Sequence, residues 1–285
     1  MKVNTWLVPW QTVTGGVGAM VPLGPTAALM VTIGFAAGIA LAYRLAKASG
    51  LPAEGILDAA AWLLISAIAG ARLLFVLLNW SQFSGHWLEA FKTWRGGMSF
   101  HGGLVGALLA GGIFAWRRRL PFWALADAVA PGLALGYAIG RIGCFLNGCC
   151  YGGPTHLPWG VVFQDADHGG LTPPSHPVQL YATLINLGIC ALLVRLYRRK
   201  RFTGQVLVSY LVLYSLYRFG VEFLRKGVTA QVMVLGLTQA QVASLGVILL
   251  GCVALAWLSR RHVRTVAPGA GGSGGPRELE PGLAG

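Results

Sequence analysis

Long apolar stretches parted by short polar breaks run along the chain at 25–43, 57–79, 97–116, 122–147, 178–197, 204–224 and 235–258. A helix needs about 20 apolar residues to cross a hydrocarbon layer. Lipid leaves no partner for exposed backbone N–H and C=O groups, so helices are the economical solution. The pattern therefore predicts an all-α polytopic membrane bundle of seven transmembrane helices. The third and fourth runs are joined only by Arg117, Arg118, Arg119 and Leu120 and should form an antiparallel hairpin. Residues 1–265 read as a single membrane domain with an outer loop at 149–176, and the Gly/Pro-rich stretch 266–285 reads as a disordered tail. Trp6 and Trp10 suggest an interfacial N-terminal segment, which lacks the apolar core of a cleavable signal peptide.

Composition agrees with burial in lipid. The chain is 55% hydrophobic and 11% charged, against roughly a quarter charged in soluble domains. A net charge of +13 invites a nucleic-acid partner, but its distribution excludes one. Arg44, Lys47, Arg117, Arg118, Arg119, Arg195, Arg198, Arg199, Lys200, Arg201, Arg260, Arg261 and Arg264 fall on one set of alternate loops. Lys2, Lys92, Arg95, Arg225 and Lys226 fall on the other. By the positive-inside rule the N-terminus is outside and the C-terminus cytoplasmic.

With the loops accounted for, Arg72, Arg141 and Arg218 remain inside predicted helices, together with Asp127 and Glu222. An arginine at the bilayer centre costs about 2.5–3.5 kcal/mol on insertion scales, so such residues face the bundle and are read as functional. In the expected topology Arg72, Arg141 and Arg218 sit toward the outer end of their helices. His101 enters one turn into the third, and Gln179 and Tyr181 open the fifth. A ring of this kind is an anion site, and arginine pairs bidentately with phosphate. A phospholipid headgroup is the anion at hand. The bland alternatives are that Arg72 snorkels and that Arg218 and Glu222 are a structural i,i+4 pair. Most small-residue motifs read as helix packing; Gly102 and Gly103 beside His101, and Gly148 and Gly152 beside Asn147, read as parts of the site. His101 is the ring member able to take up a proton near neutral pH. His156, His168 and His176 read as surface residues.

Cys144, Cys149, Cys150, Cys190 and Cys252 are odd in number and give no disulfide framework. A bridge between the neighbours Cys149 and Cys150 would be strained. His156 is the one candidate for a further metal ligand, so no metal is expected.

The segments RGGMSFHGGLVGA, GRIGCFLNGCCYGGPT, HPVQLYATL and YSLYRFGVEFLRKG, in that order, resemble the prolipoprotein diacylglyceryl transferase family, with weaker echoes in GARLLFVLLNW and WGVVF. The resemblance spans about Gly34 to Arg225 in scattered blocks. It implies a seven-helix inner-membrane enzyme that moves the diacylglyceryl group of phosphatidylglycerol to the lipobox cysteine of a prolipoprotein, releasing glycerol 1-phosphate. On this resemblance His101, Arg141 and Arg218 match the family's functional positions. So do Tyr214, Asn147, Gly148, Gly152, Glu222 and Arg225. Three departures stand out: Cys144 where many members carry Asn, Ala27 near a missing tyrosine-glycine pair, and Lys226-Gly227-Val228 in place of Pro-Asp. The implied roles are His101 as general base toward the thiol and Arg141 with Arg218 as the phosphate clamp. Tyr214 and Asn147 would orient the headgroup, with no cofactor. A lipid or anion transporter using the same arginines, or an inactive or retargeted relative, remains the alternative.

Overall fold

A computed structural model of the chain describes residues 19–20, 24–83, 85, 87–92, 97–164, 170–225, 232–234 and 236–266. Within them lie seven long helices: α1 (Gly24–Ala48), α2 (Glu54–Leu78), α4 (Phe100–Arg117), α5 (Phe122–Leu146), α6 (Val178–Arg199), α7 (Gln205–Glu222) and α8 (Gln239–Val266). A single turn, α3 (Trp80–Phe83), and a 3₁₀ segment (Trp87–Phe91) follow α2. Each apolar run of the sequence thus became one helix. Five of them, α1, α2, α5, α6 and α8, are long and apolar enough to cross a membrane. Large apolar side chains such as Trp62, Ile65, Leu108, Leu184 and Leu250 point outward from the bundle. A surface this apolar belongs in lipid, not water. The chain is a multi-pass membrane protein.

The sequence left the start of the last helix open at Leu235; α8 begins at Gln239. Thr238 and Gln241 decide that boundary. The Thr238 hydroxyl accepts from Gln241 N at 3.3 Å, and Gln241 Oε1 accepts from Thr238 N at 3.0 Å. This reciprocal capping box satisfies two donors at the start of a helix. A short hairpin, β3 (Val232–Val234) with β4 (Leu237–Thr238), leads into it. At the other end α8 runs on to Val266. The tail beyond it, and Trp6 and Trp10 at the N-terminus, lie outside the described residues.

α5 is the central helix, packed on α1, α6 and α7, and its Ala128, Ala130, Ala134 and Ala138 are fully buried. α1 lies antiparallel to it through glycine. A Cβ added at Gly38 would stand 2.7 Å from the Gly132 carbonyl oxygen, and one at Gly34 2.7 Å from that of Gly136. α2 and α4 form a second antiparallel pair, in which Gly70 meets Gly102 and Ser66 meets Gly106. Close approach of backbones is how helices associate in lipid, where the hydrophobic effect is absent. The packing role expected for Gly132, Gly136 and Gly106 holds. Gly102 joins them, since its Cβ position is 2.3 Å from the Gly70 oxygen. Gly102→Ala is therefore expected to lower the melting temperature in detergent, losing roughly 1–3 kcal/mol to overpacking although alanine is the better helix former. An unchanged melting curve would refute the tight contact.

These pairings determine which helix ends lie together. Antiparallel packing puts the start of α1 beside the end of α5, where Gly143 faces Ala27 and Met30. Following the chain through α1 and back along α2 returns it to that same end, where Arg72 and the start of α4 meet. The opposite end is organised by Asp127. Its fully buried carboxylate accepts from Lys200 Nζ at 3.0 Å and from the backbone N–H groups of Gly204, Val206 and Leu207 at 2.9–3.0 Å. The reading of Asp127 as a functional intramembrane charge is corrected here: it caps the N-terminus of α7, neutralising orphan donors and the helix dipole.

Candidate active site

Arg141 lies in the last two turns of α5, and Tyr137 stands one turn before it on the same face. Its guanidinium donates to the Tyr137 hydroxyl at 2.6 Å and lies 4.9 Å from the centre of that ring. Tyr137 in turn meets α7: its ring is edge-on to Tyr214 at 5.3 Å, and its hydroxyl is 3.4 Å from that of Tyr217. Tyr210 extends the cluster along α7. This half-buried cation is thus held by the ring and hydroxyl of Tyr137, and no carboxylate pairs with it among the described residues. Stacking and cation–π contact fix the plane of the guanidinium and leave its remaining N–H groups for an anion.

Arg218 follows Tyr217 and is differently engaged. It forms an ion pair with Glu222 one turn on, whose side chain is 1% exposed. Glu222 also accepts from the Thr238 hydroxyl at 3.2 Å. The i,i+4 pair that the sequence offered as an alternative is present. Arg72 is buried and held by carbonyls: Nε donates to Ala90 O at 2.7 Å, Nη2 to Glu89 O at 2.7 Å and Nη1 to Gly97 O at 2.9 Å. Those bonds pin the link between α2 and α4. Ser99, tied to Ala71 O through its N–H at 2.9 Å, caps α4 by accepting from Gly102 N. His101 is the second residue of that helix; its side chain lies outside the described residues. Gly103 faces Ala67 and Ala71 of α2.

The link between α5 and α6 closes this end of the bundle. Asn147 is the C-cap of α5, and Gly148 follows at φ +67°, a left-handed conformation suited to glycine. Gly152 pairs with Arg225 across an antiparallel bridge, and a Cβ there would meet the Leu224 oxygen at 2.6 Å. Farther on, β2 (Val162–Phe163) runs parallel to β1 (Ala19–Met20). Phe163 is fully buried, stacked on Tyr151 at 5.0 Å. Gln179, at the start of α6 and fully buried, donates to Cys149 O at 2.8 Å. Tyr181 accepts from Trp159 Nε1 at 2.8 Å and lies 3.4 Å from His176 Nδ1. The expected surface role of His176 is modified by that contact. Cys144, Cys149 and Cys150 are gathered at the same turn. Hydrogen bonds from Cys144 and Cys149, together with the charges of Arg141 and Arg225, push the Cys150 thiol well below the ordinary thiol range.

Residues 26–257 match the family model of prolipoprotein diacylglyceryl transferase. The chain belongs to that family. Its relatives include the phosphatidylglycerol–prolipoprotein diacylglyceryl transferase of Gloeobacter violaceus, 40% identical over 250 residues, covering 84% of this chain and 90% of the relative. The enzyme of the same name from Nostoc sp. is 37% identical and covers 90% and 94%. That of Clostridioides difficile is 34% identical and covers 84% and 92%. The resemblance expected from four short blocks therefore extends over most of the chain.

Within this transferase, sequence reasoning missed Tyr137 and Tyr217. A signal was available for both. Tyr137 precedes Arg141 by four residues, the helical spacing that brings side chains together, and Tyr217 abuts Arg218.

Proposed function

We propose that this chain is a transferase acting on lipoprotein precursors, moving the diacylglyceryl group of phosphatidylglycerol to the lipobox cysteine thiol and releasing glycerol 1-phosphate. The observation that carries this reading is Arg141, a half-buried guanidinium clasped by Tyr137 at one end of an apolar bundle. The thiol sulfur attacks C3 of the lipid glycerol, the C–O bond to phosphate breaks, and a thioether forms. The thiol proton passes to His101 and the electron pair leaves with the phosphate oxygen. Arg141 holds the departing phosphate; Arg218, oriented by Glu222, supplies the second cationic group. Tyr214 and Asn147 orient the headgroup, and Gly148 and Gly152 shape the turn over it. Gly102, Gly103 and Arg72 act by positioning, since they fasten the start of α4 to α2. Gln179, Tyr181 and Arg225 hold the closing loop. The chemistry needs no organic cofactor.

We infer seven spans, with the N-terminus outside, the C-terminus cytoplasmic and the site near the outer face of the inner membrane. α4 and α7, at 18 residues each, reach about 27 Å at 1.5 Å per residue, close to the roughly 30 Å of hydrocarbon. Reporter fusions at the 117–121 and 199–204 links should both report a cytoplasmic location. A periplasmic signal from either would overturn the orientation.

The reaction is tested with purified protein, phosphatidylglycerol and a synthetic lipobox peptide. Thioether product is expected from the wild type and lost in His101→Gln. Absence of product from a folded wild type, with phosphatidylglycerol flipped across liposomes, would replace the enzyme with a transporter.

A further inference from the structure

Cys144 lies in the last turn of α5, about one turn after Arg141, and the turn that follows the helix carries two more thiols back toward it. The sulfur atoms of Cys144, Cys149 and Cys150 all lie within 4.8 Å of one another. The backbone is bent to bring this about. Gly148 and Cys150 both adopt left-handed conformations, at φ +67° and +63°. Cys149 N donates to Cys144 O at 3.1 Å, and Cys149 Sγ lies 3.7 Å from the same oxygen. A left-handed backbone at a residue with a Cβ is unfavourable and persists only where surroundings hold it, commonly at functional sites. Here the buried Gln179 amide grips the Cys149 carbonyl from α6.

We propose that Cys144, Cys149 and Cys150 form a three-thiolate binding site for a thiophilic divalent metal ion of the zinc class. Tetrahedral zinc with Zn–S bonds of about 2.3 Å sets its sulfur ligands roughly 3.8 Å apart. The cluster needs to contract by no more than about 1 Å to meet that spacing. All three residues are free thiols, and binding releases their protons to solvent. Three thiolates around a divalent ion leave one net negative charge. Arg141 on the preceding turn, and Arg225, whose backbone pairs with Gly152, supply the opposite charge. Arg225 Nε is buried without a hydrogen-bond partner among the described residues. The fourth position opens toward the exposed side of Cys150 and takes water or an external thiol. The ion fastens the turn at 147–150 to the end of α5, whatever reaction the neighbouring arginines serve.

The test uses the full chain in detergent, reduced and freed of metal, titrated with Cd2+ or Co2+. A thiolate-to-metal charge-transfer band saturating at one ion per chain is expected. Cys144→Ser and Cys149→Ser should each abolish it, while Cys190→Ser and Cys252→Ser should leave it intact. Melting temperature of the metal-free variants separates lost ligands from lost folding; should Cys144→Ser fail to fold, Cys150→Ala replaces it. No band from folded wild type, a band that survives loss of Cys144 or Cys150, or a disulfide among the three in the protein as purified would overturn the site. None of these readouts depends on transferase activity.

Discussion

Arg141→Ala is expected to slow diacylglyceryl transfer by a hundredfold or more, the scale set by roughly 2.7–4 kcal/mol for losing one preorganised donor to a developing oxyanion. The size of the effect follows from how this arginine is held. Its ring contact and its bond to the Tyr137 hydroxyl are made before any lipid arrives, so little reorganisation is left for the moment when phosphate charge builds up. Arg141→Lys should not restore the rate, because an ammonium neither stacks on Tyr137 nor presents a planar pair of donors. Tyr137→Phe keeps the ring and removes the hydroxyl, and should fall between wild type and Arg141→Ala. The measurement is single-turnover thioether formation at saturating phosphatidylglycerol, alongside a melting curve to show that each variant is folded. A folded Arg141→Ala enzyme with near wild-type rate would remove the phosphate clamp from the mechanism.

The largest stability effect is expected at the other end of the bundle. Asp127→Ala should cost roughly 3–5 kcal/mol, the range for deleting one member of a buried, hydrogen-bonded ion pair. The side chain is 0% exposed and serves Lys200 together with three backbone donors at the start of α7. Removing it strands those N–H groups where no water replaces them. Lys200→Met should be milder, since the lysine is 23% exposed and the helix cap survives. Thermal unfolding in detergent checks both. Equal and small shifts for the two variants would mean that the cap contributes little. Because α7 also carries Tyr214 and Arg218, activity of Asp127→Ala should fall as a fraction of folded protein rather than through the chemical step.

The helices themselves were legible in the sequence. Runs of apolar residues long enough for lipid, ended by arginine clusters, state their own boundaries, because an unpaired backbone in hydrocarbon is too costly to allow another structure. α2 and α5 match the expected runs to within a few residues. The family was legible too, in ordered blocks whose spacing survives along the chain. Orientation rests on a charge count alone, and the reporter fusions are its test.

Side-chain partnership was not legible, because it depends on which helix faces which. Asp127 looked like a functional charge until the fold set the start of α7 against it. Arg72 read as either a cation of the ring or a snorkelling side chain, whereas the link after α2 folds back and offers it three carbonyls. Cys149 and Cys150 looked like an isolated pair, since a linear reading did not foresee that a left-handed turn would return them to Cys144. Sequence by itself determined that this chain lives in lipid, in how many long helices, and in which family. Only tertiary structure decided which polar groups are satisfied by the protein and which, like Arg141, have no carboxylate partner among the described residues. The physical reason is that insertion into lipid is governed by local composition, whereas hydrogen bonding between helices is governed by contacts that composition does not encode.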